Sequence, residues 1–259
     1  MTLAMLALLI VTLVVLVWRA VNRDRRDYAR FKRLRSTALR RQVFGRWIVE
    51  SALVLGGLAG VLLLAAWPFV PLALRDVRAW DPLAWVPYDT ATATSILVGF
   101  GIAVLVAMVL PVLLLRAKLD EIPAIGDIKA LLPRNRGELP YGAGLAMTAG
   151  VVEELLFRLA LPAILFGVFG SGPVAFGIAA VLFGLLHIYQ GPQGMFFAFV
   201  LGVVFTALYV LSGSILVPIV LHALIDLRSL VLIPVALGGA WSLDTAPTAA
   251  TRPATSVEP

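Results

Sequence analysis

Residues 141–169 read YGAGLAMTAGVVEELLFRLALPAILFGVF, and this stretch decides how the chain folds. It is longer than the roughly 20 apolar residues that an α-helix needs to cross a bilayer. Three charged residues, Glu153, Glu154 and Arg158, lie near its middle. Charged side chains at membrane depth are costly, and they are usually paired or functional. The stretch therefore predicts a membrane-spanning helix that carries part of a polar site.

The rest of the sequence continues this pattern of long apolar runs divided by short polar segments. Hydrophobic residues make up 61% of the 259 residues, whereas soluble domains are about half apolar. The short alternating segments of an outer-membrane barrel do not occur in the sequence. We therefore predict an all-α, polytopic transmembrane helical bundle of about seven spans, or eight if the last is broken near Pro218. The predicted spans are 1–17, 47–74, 94–115, 141–169, 174–189, 195–211 and 215–237.

The net charge of +6 comes largely from one segment. Residues 19–46 contain 11 of the 21 Lys and Arg residues and two acidic residues, Asp24 and Asp27. A basic block between two apolar spans is typical of a cytoplasmic loop near anionic lipid headgroups, which we favour over nucleic-acid binding. We therefore predict a multi-pass protein of the inner (plasma) membrane, with its N-terminus outside and its C-terminus cytoplasmic.

Composition divides the chain into three parts. Residues 1–140 hold the N-terminal transmembrane spans and the basic cytoplasmic loop 19–46. Residues 141–240 form a second helical unit, in which the spans themselves carry charged residues. Residues 241–259 are rich in Ala, Thr and Pro, and we predict a disordered tail there.

Ionisable residues inside apolar spans are concentrated in the second unit. This set includes both histidines of the protein and consists of Glu153, Glu154, Arg158, His187, His222, Asp226 and Arg228. Residues four apart share one face of a helix. That spacing joins Glu154 to Arg158, Phe183 to His187 and His222 to Asp226.

Glu153 is set apart from its neighbour by helix geometry, since it points about 100° away from Glu154 and is free for another partner. Three helices can thus converge on one polar pocket. Because His187 lies near the inner end of the fifth predicted span, we expect the pocket to open toward the cytoplasm.

Three short motifs in the second unit resemble those of a known family. Residues 152–158 (VEELLFR) match an EExxxR motif, residues 183–187 (FGLLH) an FxxxH motif, and residues 222–226 (HALID) a motif of His followed four residues later by Asn or Asp. The three occur in order, each on an apolar helix. Residues 141–237 therefore resemble the CPBP family, the CAAX-protease and bacteriocin-processing membrane proteins also called the Abi family.

The resemblance implies an intramembrane endopeptidase of the glutamic type, with residues 141–240 as its catalytic helical core. Glu153 and His187 would bind and activate a water that attacks a peptide carbonyl. His222, with Asp226, would face the developing oxyanion. The resemblance gives structural support as the role of three further residues, Glu154, Arg158 and Phe183.

One motif position departs from the eukaryotic CAAX proteases, which have Asn where this chain has Asp226. An Asn amide is always a hydrogen-bond donor, whereas an Asp donates only when it is protonated. An ionised Asp226 would orient His222 instead of donating directly.

No cofactor is expected from the resemblance, although a metal site is conceivable. Glu153, His187 and His222 would make a His₂Glu set like that of some zinc peptidases, but the HExxH spacing is absent. The protein has no cysteine, which excludes disulfides, thiolate catalysis and cysteine-ligated zinc.

Two other functions are compatible with the sequence. One is a non-catalytic membrane scaffold or peptide-immunity protein of the same fold, which the intact motifs disfavour. The other is a proton-coupled transporter with the carboxylates and histidines as a relay, which the short chain without repeats disfavours. For the protease, the expected partners are a protein or peptide substrate and membrane lipid, and no nucleic acid.

Overall fold

The computed structural model describes residues 2–86, 88–115 and 126–236, and these ranges contain helices and no strand. We number the helices in chain order and count a π-helical segment with the α-helix that it continues. They are α1 (Thr2–Trp18, Arg19–Asp24, Arg25–Phe31), α2 (Thr37–Glu50, Ser51–Gly56, Gly57–Ala66), α3 (Phe69–Arg78), α4 (Asp81–Ala84), α5 (Thr90–Leu115), α6 (Leu139–Glu154, Leu155–Ala160, Leu161–Phe169), α7 (Gly172–Leu186), α8 (Gly191–Ser212) and α9 (Leu216–Leu227, Arg228–Leu232, Ile233–Ala236).

Four helices in the described ranges are long and apolar enough to cross a membrane, so the prediction of an all-α, multi-pass membrane protein is confirmed. They are Leu3–Phe31, Thr37–Ala66, Ile188–Ser212 and Leu216–Ala236. The predicted number of seven spans is not confirmed. Helix α7 has 15 residues, fewer than the roughly 20 that a spanning helix needs, and α6 carries three charges near its middle.

The last span is not broken at Pro218. Helix α9 begins at Leu216 and continues through Pro218. The first amides of a helix have no acceptor within it, so a proline at the third position costs no hydrogen bond. The alternative of eight spans is therefore wrong at this point.

The basic segment 19–46, predicted as a loop between two spans, is helical over most of its length, and its cytoplasmic placement stays a prediction. Helix α1 continues as far as Phe31 and α2 begins at Thr37, so the chain reverses within a few residues. Aromatic side chains explain the difference, because Phe31 and Phe44 are buried against each other with ring centroids 5.0 Å apart. The segment is also rich in arginine, which favours helix.

The second predicted span, 47–74, ends earlier than expected. Helix α2 ends at Ala66, and the chain turns at Trp67 and Pro68 before the separate helix α3. The carboxylate of Asp76 in α3 accepts a 2.7 Å hydrogen bond from the first amide of α7, that of Gly172. Arg78 donates through Nε to the carbonyl of Val210 at 2.7 Å, near the end of α8. Helix α3 therefore caps α7 and α8.

Helices α6 and α9 pack closely because a glycine lies where they meet. A Cβ atom on Gly150 would lie 2.9 Å from the backbone nitrogen of Ala223, so a larger residue would force the helices apart. Glu154 follows Gly150 by one helical turn, and His222 immediately precedes Ala223. The close packing therefore brings the side chains of Glu154 and His222 together.

One hydrophobic core joins the N-terminal helices to the second unit. Buried residues of α1, α2, α6 and α7 belong to the same cluster, which includes Leu9, Leu62, Leu156, Ile164 and Phe183. The predicted boundary between 1–140 and 141–240 stays a prediction. The predicted tail, 241–259, lies outside the described residues.

A fully buried ion pair fixes α2 to the beginning of α6. Arg40 donates through Nε to both carboxylate oxygens of Glu138 at 3.0 Å, and neither side chain is exposed. Its Nη2 donates to the carbonyls of Ala130 and Leu132. Arg40 thus fixes the segment that precedes α6 to the N-terminal helices.

Candidate active site

A cavity of about 500 Å³ lies between the N-terminal helices and the second unit. The four residues predicted to be catalytic all line it, and they are Glu153, His187, His222 and Asp226. Their helices are α6, α7 and α9, as the motif spacing predicts, with His187 at the end of α7. Such a convergence of titratable groups in one largely apolar cavity is typical of an active site.

Glu153 and Glu154 face different surroundings, as helix geometry predicts. Glu153 is half-buried and lines the cavity. Glu154 is fully buried and is not among the cavity-lining residues. The two adjacent carboxylates can therefore have separate roles, one in contact with a substrate and one within the protein.

Glu154 joins two motifs of the site. Its Oε2 lies 3.0 Å from Nε of Arg158, which forms the predicted ion pair one turn away on α6. Its Oε1 lies 2.7 Å from Nδ1 of His222 on α9. One carboxylate therefore holds the first motif against the third, an arrangement that spacing within a single helix cannot predict.

Arg158 is enclosed by aromatic rings. Its guanidinium lies 4.5 Å from the centre of the Phe183 ring and 5.3 Å from that of Phe205. It also donates to the carbonyl of Gly202 on α8 at 3.3 Å. A guanidinium stacks well on aromatic faces, so Arg158 links α6, α7 and α8.

His187 is oriented by its own helix. Its Nδ1 lies 2.7 Å from the carbonyl oxygen of Phe183, which can only accept, so Nδ1 carries the proton. In the neutral ring, Nε2 then has the free lone pair. That nitrogen can accept a proton from a water or hold the water by a hydrogen bond.

His222 has a different set of contacts. Its Nδ1 donates to Glu154, its ring is stacked on Phe205 with centroids 5.0 Å apart, and its Nε2 lies 3.7 Å from Oδ2 of Asp226. If Nδ1 donates to Glu154, Nε2 can also donate only when the ring carries both protons. The two histidines therefore suit opposite tasks, His187 as an acceptor and His222 as a donor.

Phe183 packs among the polar groups of the site. Its ring lies 4.8 Å from that of His187, 6.0 Å from that of His222 and 5.1 Å from that of Phe157. It has no titratable group, so these contacts are packing contacts, and its predicted supporting role fits them.

A match to a protein-family model covers residues 135–228. The model is described as type II CAAX prenyl endopeptidase Rce1-like. Residues 135–228 form an Rce1-like domain. The resemblance to the CAAX protease family that the three motifs indicate is thereby confirmed. No curated protein and no solved structure matches the chain.

The Rce1-like domain includes all three motifs and ends just after Asp226, but it leaves out part of the cavity wall. Residues of α1 and α2 line the cavity as well, among them Arg19, Tyr28 and Trp47. The ring of Tyr28 lies 5.4 Å from that of Tyr189, which follows His187. The N-terminal helices therefore complete the pocket that the Rce1-like domain begins.

The sequence did not predict these wall residues, because nothing in their spacing relates α1 to a helix more than a hundred residues away. One weak signal exists, since Arg19 directly follows the first apolar run. In the described ranges no group of three His, Asp or Glu side chains is arranged to hold a metal ion.

Proposed function

We propose that the protein is an intramembrane endopeptidase that hydrolyses a peptide bond of a membrane-associated protein or peptide with a water activated by Glu153 and His187. One observation carries the proposal: Glu153, His187, His222 and Asp226 all belong to the Rce1-like domain and line one cavity. The match to a family of endopeptidases supports proteolysis over transport. Partial burial in an apolar cavity suits Glu153 to act as a base.

The residues that activate the water lie on the side of the cavity formed by α6 and α7. Nδ1 of His187 is engaged with the Phe183 carbonyl, so Nε2 is left to hold the water. The Glu153 carboxylate takes the proton as the water oxygen attacks the peptide carbonyl. It then delivers that proton to the departing amine, which completes the hydrolysis.

The residues that stabilise the tetrahedral intermediate lie on the side of the cavity formed by α9. The doubly protonated ring of His222 donates through Nδ1 to Glu154 and through Nε2 to the oxyanion. Removal of one such donor typically costs about 100- to 1000-fold in rate. Asp226, 3.7 Å from Nε2, orients the ring and balances its charge.

Glu154 and Arg158 support this arrangement from within the protein. A histidine held by a carboxylate has a fixed ring orientation, as in many catalytic sites. Arg158 in turn holds the Glu154 carboxylate in place by their 3.0 Å contact. We propose this mechanism without a cofactor. Loss of activity with a zinc chelator, restored by added zinc, would contradict it.

The proposed orientation of the protein in the plasma membrane is based on the position of its Lys and Arg residues. The cavity is lined by Arg19, Asp24 and Tyr28, which belong to the basic segment 19–46. Basic segments are retained on the cytoplasmic side. The cavity therefore opens toward the cytoplasm, and the substrate reaches it from that side.

The test is a comparison of membrane and secreted peptides from cells that lack the protein and are complemented with variants. Wild type should remove a set of precursor peptides that persists with Glu153→Ala and with His187→Ala, each expressed to the wild-type level. Glu50→Ala, which changes a carboxylate outside the cavity, is the control and should behave as wild type. Equal peptide profiles for all variants would indicate a non-catalytic scaffold or immunity protein, and proton flux in liposomes that both site variants abolish would indicate a transporter.

A further inference from the structure

Arg19 stands out among the cavity-lining residues that no motif includes. It lies in the π-helical segment Arg19–Asp24 of α1, outside the Rce1-like domain. Of the described residues that line the cavity, it is the single Lys or Arg, beside three carboxylates, Asp24, Glu153 and Asp226. Burial of a charged side chain is costly, so the presence of Arg19 in the wall needs a physical reason.

The contacts of Arg19 leave part of its guanidinium unused. Its Nε donates to both oxygens of Asp24, at 3.2 and 3.3 Å. Its side chain is 11% exposed, and the buried Nη1 has no hydrogen-bond acceptor among the described residues. A buried guanidinium nitrogen without an acceptor is unfavourable. Because Arg19 lines the cavity, a group that enters the cavity can reach this guanidinium.

The position of Arg19 places that partner near the proposed chemistry. The segment Arg19–Asp24 packs against Ile188–Gln190, the turn that directly follows His187. The group that best matches the free side of a guanidinium is a carboxylate, which forms charge-assisted hydrogen bonds with it. Asp24 already occupies the Nε side, so a second carboxylate would use the terminal nitrogens.

We propose that Arg19 binds a carboxylate of the peptide substrate and thereby determines which peptides the cavity accepts. The inference rests on the proposed function for the identity of the ligand as a peptide. The carboxylate is either the C-terminus of the peptide or an acidic side chain near the cleaved bond. Arg19 is then a specificity residue that the N-terminal helices contribute to the active site.

Binding can be measured independently of hydrolysis. The probe is a fluorescein-labelled short peptide of Ala, Leu and Val with either a free C-terminal carboxylate or a carboxamide. Fluorescence anisotropy with the full-length Glu153→Gln protein in detergent should show about tenfold tighter binding of the carboxylate form. Arg19→Gln should remove this preference. Arg23→Gln, which removes a charge on the same helix outside the cavity, should retain it.

Asp24 gives a further, opposite expectation. Because Asp24 competes for the guanidinium, Asp24→Asn should strengthen the preference for the carboxylate peptide. If the Arg19–Asp24 pair were purely structural, Arg19→Gln and Asp24→Asn would have the same effect on peptide binding. Equal binding of the two peptides by the Arg19-containing protein, together with no Arg19-dependent binding of an amidated peptide that contains Glu, would overturn the proposal. So would an unchanged preference in Arg19→Gln, or a loss of thermal stability in both variants without any change in preference.

Two additional probes identify the source of the carboxylate. An amidated peptide with one internal Glu that binds only when Arg19 is present would support an acidic side chain as the ligand. Tighter binding of the free-carboxylate peptide than of the carboxamide peptide would support the C-terminus as the ligand. Displacement of every peptide by phosphatidylglycerol through Arg19 alone would assign the residue to lipid phosphate and overturn the proposal. Because all of these are binding measurements, their failure is distinguishable from an absence of proteolysis.

Discussion

Asp226 is the site residue whose role depends most on a single distance. The 3.7 Å between its Oδ2 and Nε2 of His222 is longer than a hydrogen bond but short enough for an ionic contact. Its side chain is 34% exposed toward the cavity. An ionised Asp226 can therefore favour a doubly protonated His222 while leaving Nε2 to the oxyanion.

Substitution of Asp226 separates this orienting role from direct donation. Asp226→Asn keeps the shape but removes the charge that favours a doubly protonated His222, so we expect its kcat to fall below that of the wild type. Asp226→Ala removes both the shape and the charge, and we expect a loss of about 100-fold. The measurement is kcat on a cleaved peptide for the two purified variants. A kcat of Asp226→Asn at or above that of the wild type would show that position 226 acts as a hydrogen-bond donor and not through its charge.

At the scale of helices, the crossing of α6 and α9 fixes the geometry of the site. Gly150 allows the two backbones to approach, and the Glu154–His222 hydrogen bond of 2.7 Å depends on that approach. A π-helical segment, Leu155–Ala160, lies between Glu154 and the rest of α6 and includes Arg158. Widened turns of this kind are frequent at functional sites.

Enlargement of Gly150 should therefore reduce activity through helix separation. Gly150→Ala would place a methyl group 2.9 Å from the Ala223 backbone, and overpacking of this kind costs about 1–3 kcal/mol. We expect a lower thermal unfolding temperature together with a lower kcat. Gly177→Ala on α7 is the control, because a Cβ there meets no atom within 4 Å. A Gly150→Ala protein with wild-type activity would show that the crossing does not position His222.

The helical face of each motif could be predicted from the sequence, whereas the contacts between helices could not. Spacing by four residues predicts that Glu154 lies beside Arg158, and the two are in contact. The Glu154–His222 hydrogen bond joins residues 68 positions apart, and no local rule relates them. The continuation of α1 to Phe31 was also missed, because burial of Phe31 against Phe44 outweighs the local charge.

At the scale of the whole molecule, the cavity depends on two parts of the chain. Residues 135–228 supply the predicted chemistry, and α1 and α2 supply the opposite wall with Arg19 and Trp47. Predicted spans can be read from apolar runs, but their arrangement around a cavity depends on tertiary packing. The Arg40–Glu138 ion pair, in which neither side chain is exposed, is a polar connection between the two parts.

Disruption of that pair tests whether the two parts are held together as described. Arg40→Met leaves Glu138 buried without its partner, and such a loss typically costs about 3–5 kcal/mol. We expect a markedly lower unfolding temperature in detergent. Arg40→Met with Glu138→Leu removes both charges and should recover much of the stability. If the double variant were as unstable as the single one, the hydrogen bonds from Arg40 to the carbonyls of Ala130 and Leu132 would be its main contribution to stability.

The central claim is that a water activated in this cavity attacks a peptide carbonyl, and oxygen-18 incorporation tests it most directly. The purified protein in liposomes is incubated with an apolar peptide mixture in H₂¹⁸O, and the products are analysed by mass spectrometry. For the wild type and the control Glu50→Gln we expect new C-terminal fragments and matching N-terminal fragments that carry one ¹⁸O. Glu153→Gln and His187→Ala should form them at rates lower by about 100-fold or more. Labelled products at the wild-type rate from Glu153→Gln would contradict the account.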